Sequence, residues 1–158
     1  MENKFNDYLK EVELTGLYLK RACKVINFYE KLFPDDIKDI FVSEYTDNKG
    51  TRQYESLWIF TSNFACEAKQ FITEEDFDAT SVKQSITYWR LKRTAFDGQE
   101  TSDDSRMAVS FDLTPGVSGA LKASKGNCMK LQEIFDKYLF PNTIPIKDLS
   151  ETFSNVKQ

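Results

Sequence analysis

Histidine is absent from the 158 residues. That gap excludes imidazole bases, Ser-His and Cys-His nucleophile pairs and every His-ligated metal site. Cysteine is scarce as well. Cys23, Cys66 and Cys128 stand far apart, in no CxxC pair and each among apolar neighbours, which reads as buried free thiols in a reducing compartment. No uncharged apolar run approaches the ~20 residues that span a bilayer, and the N-terminal MENKFNDYLKEVE offers no signal h-region. The expectation is a cytoplasmic chain, with membrane insertion disfavoured. A basic surplus is also lacking, since 21 Lys and Arg face 25 Asp and Glu for a net charge of -4. Residues 1–33 carry 6 basic and 5 acidic groups, 34–80 carry 4 and 11, 81–140 carry 9 and 7, and 141–158 carry 2 and 2. A dedicated nucleic-acid binder draws its affinity from a basic surface that releases counterions, so this balance argues against one.

What is present describes one globular domain. The chain is 41% hydrophobic and 29% charged, with 13 Phe, 7 Tyr and 2 Trp for an aromatic-rich core. At this length about two-thirds of the unfolded surface is buried on folding, enough for a core without disulfide or metal staples.

Apolar residues from 5 to 33 recur at helical spacing. Phe5, Tyr8, Val12, Leu19, Ala22, Ile26, Tyr29 and Phe33 fall on three- and four-residue steps, with Thr15 in the missing place. This predicts one long helix or two stacked ones, with Gly16 as the place for a break and Pro34 as the stop. The period then changes. Residues 40–46 and 52–61 are rich in β-branched and aromatic side chains and flank Asp47-Asn48-Lys49-Gly50, a hairpin turn. Further strands are predicted over 64–72, 82–96, 106–113 and 117–123. Alternation in two of them puts Trp89 and Phe111 inside and Arg90 and Arg106 outside. Asn127 reads as the N-cap of a closing helix over 128–140, which Pro141 stops, and 142–158 forms a tail. The predicted architecture is α+β: a helical segment over 1–36, then over 37–140 an antiparallel bent sheet or partly open barrel of about six strands with a C-terminal capping helix, then the tail over 141–158.

Consecutive hairpins that bend into a partly open barrel plugged by a C-terminal amphipathic helix resemble the pleckstrin-homology-like superfold in element order over residues 37–140. Phosphoinositide-binding members place a Lys and an Arg around the first hairpin turn, and Lys49 and Arg52 stand at those positions here. The resemblance implies a binding platform, with peripheral lipid contact open to it.

Other candidates come from charge. Tyr88-Trp89-Arg90-Leu91-Lys92-Arg93 interleaves aromatics with cations in a stretch, 82–96, that holds no acidic residue. On a strand, Arg90 and Lys92 share a face, and with Arg93 they could meet a phosphate or an acidic partner. Lys122, Lys125 and Lys130 lie in a second acid-free stretch, where Ser124-Lys125-Gly126-Asn127 sets a lysine and backbone N–H groups at a helix N-terminus. It is not a P-loop, because the GxxxxGK[ST] spacing is absent, and no cofactor is expected. Glu74, Glu75, Asp76 and Asp78 read as a solvated loop, because the calcium-loop glycine and terminal glutamate are missing.

These features lead to a non-catalytic protein–protein interaction or regulatory module. Another protein is the first partner to expect, reached through the helix stripe at Val12, Leu19, Ile26 and Tyr29 or through the cationic strand. A homodimer through that helix is the next. The alternative is a small anionic ligand or lipid-headgroup binder using the open barrel mouth or the cationic strands, and the third reading is an enzyme of a cone-shaped α+β fold.

Overall fold

The computed structural model describes residues 4–69, 78–83, 85–94, 105–113 and 116–145. Glu74, Glu75 and Asp76, the turns at 97–98 and 114–115, the loop at 101–104 and the tail beyond 145 lie outside them. The helical period of 5–33 resolves into α1 (Asn6–Glu11) and α2 (Gly16–Leu32). The break falls at 12–15, where Glu13 takes φ 68° and Gly16 φ 55°. A left-handed backbone costs glycine little, so Gly16 opens α2 in a conformation that would strain most other residues.

Seven strands follow: β1 (Ile37–Thr46), β2 (Arg52–Thr61), β3 (Phe64–Lys69), β4 (Asp78–Lys83), β5 (Ile86–Arg93), β6 (Arg106–Leu113) and β7 (Val117–Ser124). Strands β1–β4 form sheet A and β5–β7 form sheet B, each in sequence order and antiparallel throughout. The single strand expected over 82–96 is in fact the end of β4 and the whole of β5, where the chain passes from one sheet to the other. Helix α3 (Asn127–Ile134) runs on through a π-turn (Phe135–Leu139) and a 3₁₀ turn (Phe140–Asn142).

Sheet A is the middle layer. In β2, Leu57 and Ile59 point one way and Trp58 and Phe60 the other, and all four are buried. The first pair shares a core with Ile40, Val42 and the helices, through Val12, Ala22, Ile26 and Tyr29. The second pair shares another with Phe41, Val109, Phe111 and Leu131, between the two sheets and α3. A strand covered on both faces reads as a continuous apolar run, as Leu57-Trp58-Ile59-Phe60 does. The helical segment therefore belongs to the same folded body as the sheets.

The sheets meet at a seam between β1 and β7. There is no backbone ladder between them. Instead Ser43 Oγ accepts the Lys122 N–H at 2.9 Å and Glu44 Oε2 accepts the Ser124 N–H at 2.7 Å. Side chains do the joining, so the two sheets do not close into a barrel.

None of the three cysteines is in a disulfide; Cys66 and Cys128 are buried and Cys23 half-buried. Burial pushes the Cys128 thiol up to about 11, which suppresses the nucleophilic thiolate. Adding a reductant is expected to leave the melting temperature unchanged, and a fall of several degrees would reveal a disulfide. Among the described residues no helix is long and apolar enough to cross a membrane.

Candidate functional site

Alternation along β5 from Tyr88 onward, and along β6 and β7, gives sheet B one face toward the core and one away from it, with a register shift between Ile86 and Tyr88 at the start of β5. Met107, Val109, Phe111 and Leu113 are buried beneath the sheet. On the outer face Arg90 pairs with Ser110 and Ser110 with Ala120, while Lys92 pairs with Ala108 and Ala108 with Lys122. Neighbouring strands lie about 4.8 Å apart and alternate residues about 7 Å apart along a strand. Arg90, Lys92 and Lys122 therefore form a triangle with sides of roughly 7, 10 and 12 Å over a floor of alanine and serine.

Among the described residues neither Arg90 nor Lys92 has an ion-pair partner, and both are exposed. Lys122 is partly engaged: its Nζ lies 3.2 Å from Glu55 Oε2 and 5.6 Å from the centre of the Tyr45 ring. Among the described residues Asp112 is the one acidic side chain that the register of β5, β6 and β7 puts on this face, and Ser118 Oγ donates to it at 2.7 Å. The result is a shallow cationic shelf.

An open cleft of about 690 Å³ borders the shelf, lined by Ser43, Glu55, Ser56, Glu67, Lys69 and Lys122 among others. Its shape depends on a bulge: Ser43 faces Ser56 but Glu44 faces Tyr54, so Glu55 is an extra residue in β2 and is re-aimed toward Lys122. Burial raises the Glu67 carboxyl above the usual carboxylate range. Both cleft lysines answer to a carboxylate, Lys122 to Glu55 and Lys69 to Glu67 at 3.9 Å, so the cleft carries no cationic surplus for an anion.

Several expected site residues lie elsewhere. Arg52 is not beside Lys49 on the surface. Its side chain is 5% exposed and its Nε lies 2.9 Å from Glu44 Oε1, because β2 turns it inward onto a buried carboxylate. Lys49 remains in the exposed hairpin turn, where its backbone N–H donates to Asp47 Oδ1. Arg93 alternates to the other side of β5 from Arg90 and Lys92, is half-buried, and acts electrostatically on Cys128. Lys125 stands past the end of β7 with φ 54°, its N–H donated to the Ser105 carbonyl. Val12, Ile26 and Tyr29 are buried against sheet A, with Leu19 half-buried beside them, so the stripe is filled by the chain itself. Trp89 is half-buried on the edge strand β5, its ring against Phe135 at 4.9 Å and Phe140 at 6.2 Å. Arg106 is also half-buried, its Nη1 donating to the Ser105 carbonyl.

Asn127 does not cap α3 with its side chain. Its amide instead donates to the Val42 carbonyl and to Glu44 Oε2, both at 2.9 Å, and its Oδ1 accepts the Tyr8 hydroxyl at 2.9 Å. Tyr8 in turn accepts the Val42 N–H at 2.8 Å, and burial holds its hydroxyl well above the usual tyrosine range. This network ties α1, β1, β2, β7 and α3 together. One signal for it was legible: Glu44 is a lone carboxylate inside the otherwise uncharged run 40–46. Comparison with family models, with curated proteins and with solved structures found no match for this chain.

Proposed function

We propose that this chain is a non-catalytic interaction module whose recognition surface is the outer face of sheet B, presented to an acidic segment of another protein. The observation that carries the reading is the meeting of Arg90, Lys92 and Lys122 on one face from strands about 30 residues apart in sequence, where among the described residues Arg90 and Lys92 have no ion-pair partner, Lys122 pairs with Glu55, and Asp112 is engaged by Ser118. Arg90 offers a planar, multi-donor guanidinium suited to carboxylates, and the small floor residues leave room for a partner's side chains. The element order over residues 37–140 resembles the pleckstrin-homology-like superfold, whose members mostly serve as binding platforms. Lipid recognition through Lys49 and Arg52 loses support, because Arg52 is spent on Glu44. A second copy docking on Val12, Ile26 and Tyr29 loses support in the same way.

Reversing both cations in R90E/K92E should abolish capture of a partner that the wild type co-purifies, while leaving the melting curve in place, because exposed charges contribute little to stability. Wild-type binding should also weaken with salt, as the Debye length shrinks from ~10 Å at 0.1 M to ~3 Å at 1 M. Undiminished capture by the double variant would return the shelf to an ordinary solvated face.

A further inference from the structure

The buried stripe of α2 has a counterpart on its other side. Ala22, Val25, Ile26 and Tyr29 face sheet A. At 100° per residue, Leu17, Lys20, Lys24, Phe28 and Lys31 form a second stripe on steps of three and four, with Leu32 at its margin. All six are exposed, the three apolar ones at 58% for Leu17, 42% for Phe28 and 56% for Leu32. The stripe is about 22 Å long from Leu17 to Leu32 at 1.5 Å per residue.

Its charge is of one sign. Glu30 is the one acidic residue of α2; it lies on the flank about 100° from Lys31, and its carboxylate accepts the Asp35 N–H at 3.0 Å. Among the described residues Lys20, Lys24 and Lys31 have no ion-pair partner. Large apolar side chains left in water beside unpaired lysines are a cost to the isolated chain, and such a patch marks a surface that meets something else.

We infer that this solvent face of α2 is a peripheral docking surface for an anionic phospholipid bilayer. Charge complementarity selects an anionic occupant. Shape then selects a fluid surface over a protein, because protein hot spots are buried pockets built on Trp, Tyr and Arg, whereas this is a convex ridge with Leu and Phe between lysines. Lysine is a compact, non-directional charge on a flexible stem, able to reach lipid phosphates and carboxylates while neighbouring Leu and Phe enter the boundary between headgroups and acyl chains. The inference is independent of the shelf. Helices cover one face of sheet A and sheet B lies over the other, so a chain lying on a membrane through α2 keeps Arg90 and Lys92 pointed away from it.

The test uses the full chain and vesicles of phosphatidylcholine alone or with 30% phosphatidylserine. The wild type should co-sediment with the mixed vesicles and not with the neutral ones, and binding should fall as salt rises. Each lysine near such a surface strengthens binding about fivefold, so K20E/K24E/K31E should lose roughly a hundredfold or more. The F28S/L32S variant should lose about tenfold, and R90E/K92E should bind as the wild type does. Wild-type chain that ignores the mixed vesicles overturns the proposal without recourse to any variant. So does binding removed by R90E/K92E but not by the α2 reversal, which would move the lipid site to sheet B. A concentration-dependent dimer that F28S/L32S dissociates would also overturn it, giving the ridge to a second copy of the chain.

Discussion

Replacing Glu44 with alanine should lower the unfolding free energy by about 3–5 kcal/mol, the range for removing one partner of a buried ion pair. The side chain of Glu44 is fully buried and that of Arg52 is 5% exposed. The carboxylate accepts from Arg52 Nε, the Ser124 backbone N–H, the Ser124 hydroxyl and the Asn127 amide. Truncation strands all four donors at once. The Arg52 guanidinium suffers most, because its other acidic neighbour, Glu13, is mostly exposed and stands 3.8 Å from Nη1. Glutamine at 44 keeps the volume and one acceptor but loses the charge, so E44Q should recover part of the loss. Replacing both partners by apolar residues, as in E44M/R52M, should cost less than E44A alone, since no unpaired charge remains. Urea denaturation of the three variants measures this order, and an E44A effect below about 1 kcal/mol would show that the pair contributes little.

The same network shows where sequence reasoning stops. Secondary structure was legible because it follows from period: the break near Gly16, the hairpin at Asp47–Gly50 and the alternation of 106–113 are local signals. Burial on both faces of β2 was legible too, as an unbroken apolar run. Residue roles that depend on a distant partner were not. Arg52 reads as a surface cation because its neighbours in sequence are polar, yet its environment is set by Glu44 across the hairpin. Asn127 has the composition of an N-cap, but Tyr8, Val42 and Glu44 reach it from elements some 80 or more residues away and claim its amide. The cationic stretches 82–96 and 113–132 were visible separately. Only the register through β6 brings Lys92 opposite Ala108 and Ala108 opposite Lys122, and register between non-adjacent strands is not written in either segment. The stripe over 5–33 likewise pointed to the right helix, and the face it named is the one the chain fills itself.

Phe111→Ala should cost about 3–5 kcal/mol, the range for removing a buried phenylalanine, and should fall toward the upper end of it. The cost of such a change depends on how far the surroundings can collapse into the space. Phe111 is 1% exposed, and its ring meets that of Trp58 edge-on with centroids 5.6 Å apart. Directly across β7 the facing residue is Gly119, and a Cβ added there would sit 2.6 Å from Phe111 Cζ and 3.0 Å from the Trp58 ring. Glycine therefore makes the room that the phenyl ring occupies. It has no side chain to swing into the vacancy when the ring is gone, and Trp58 is held on its other side by Phe60 at 6.4 Å. The cavity should persist. The converse change, Gly119→Ala, overfills the same space and should cost about 1–3 kcal/mol by pushing on two rigid rings. Combining them tests the geometry directly. In F111A/G119A the new methyl enters the space the ring left, so the double variant should be more stable than the sum of the two losses predicts, with a coupling of about 1 kcal/mol or more. Denaturation of the two singles and the double measures that term. Strict additivity would mean that residues 111 and 119 do not share one site, and that the register of β6 against β7 differs from the one described here.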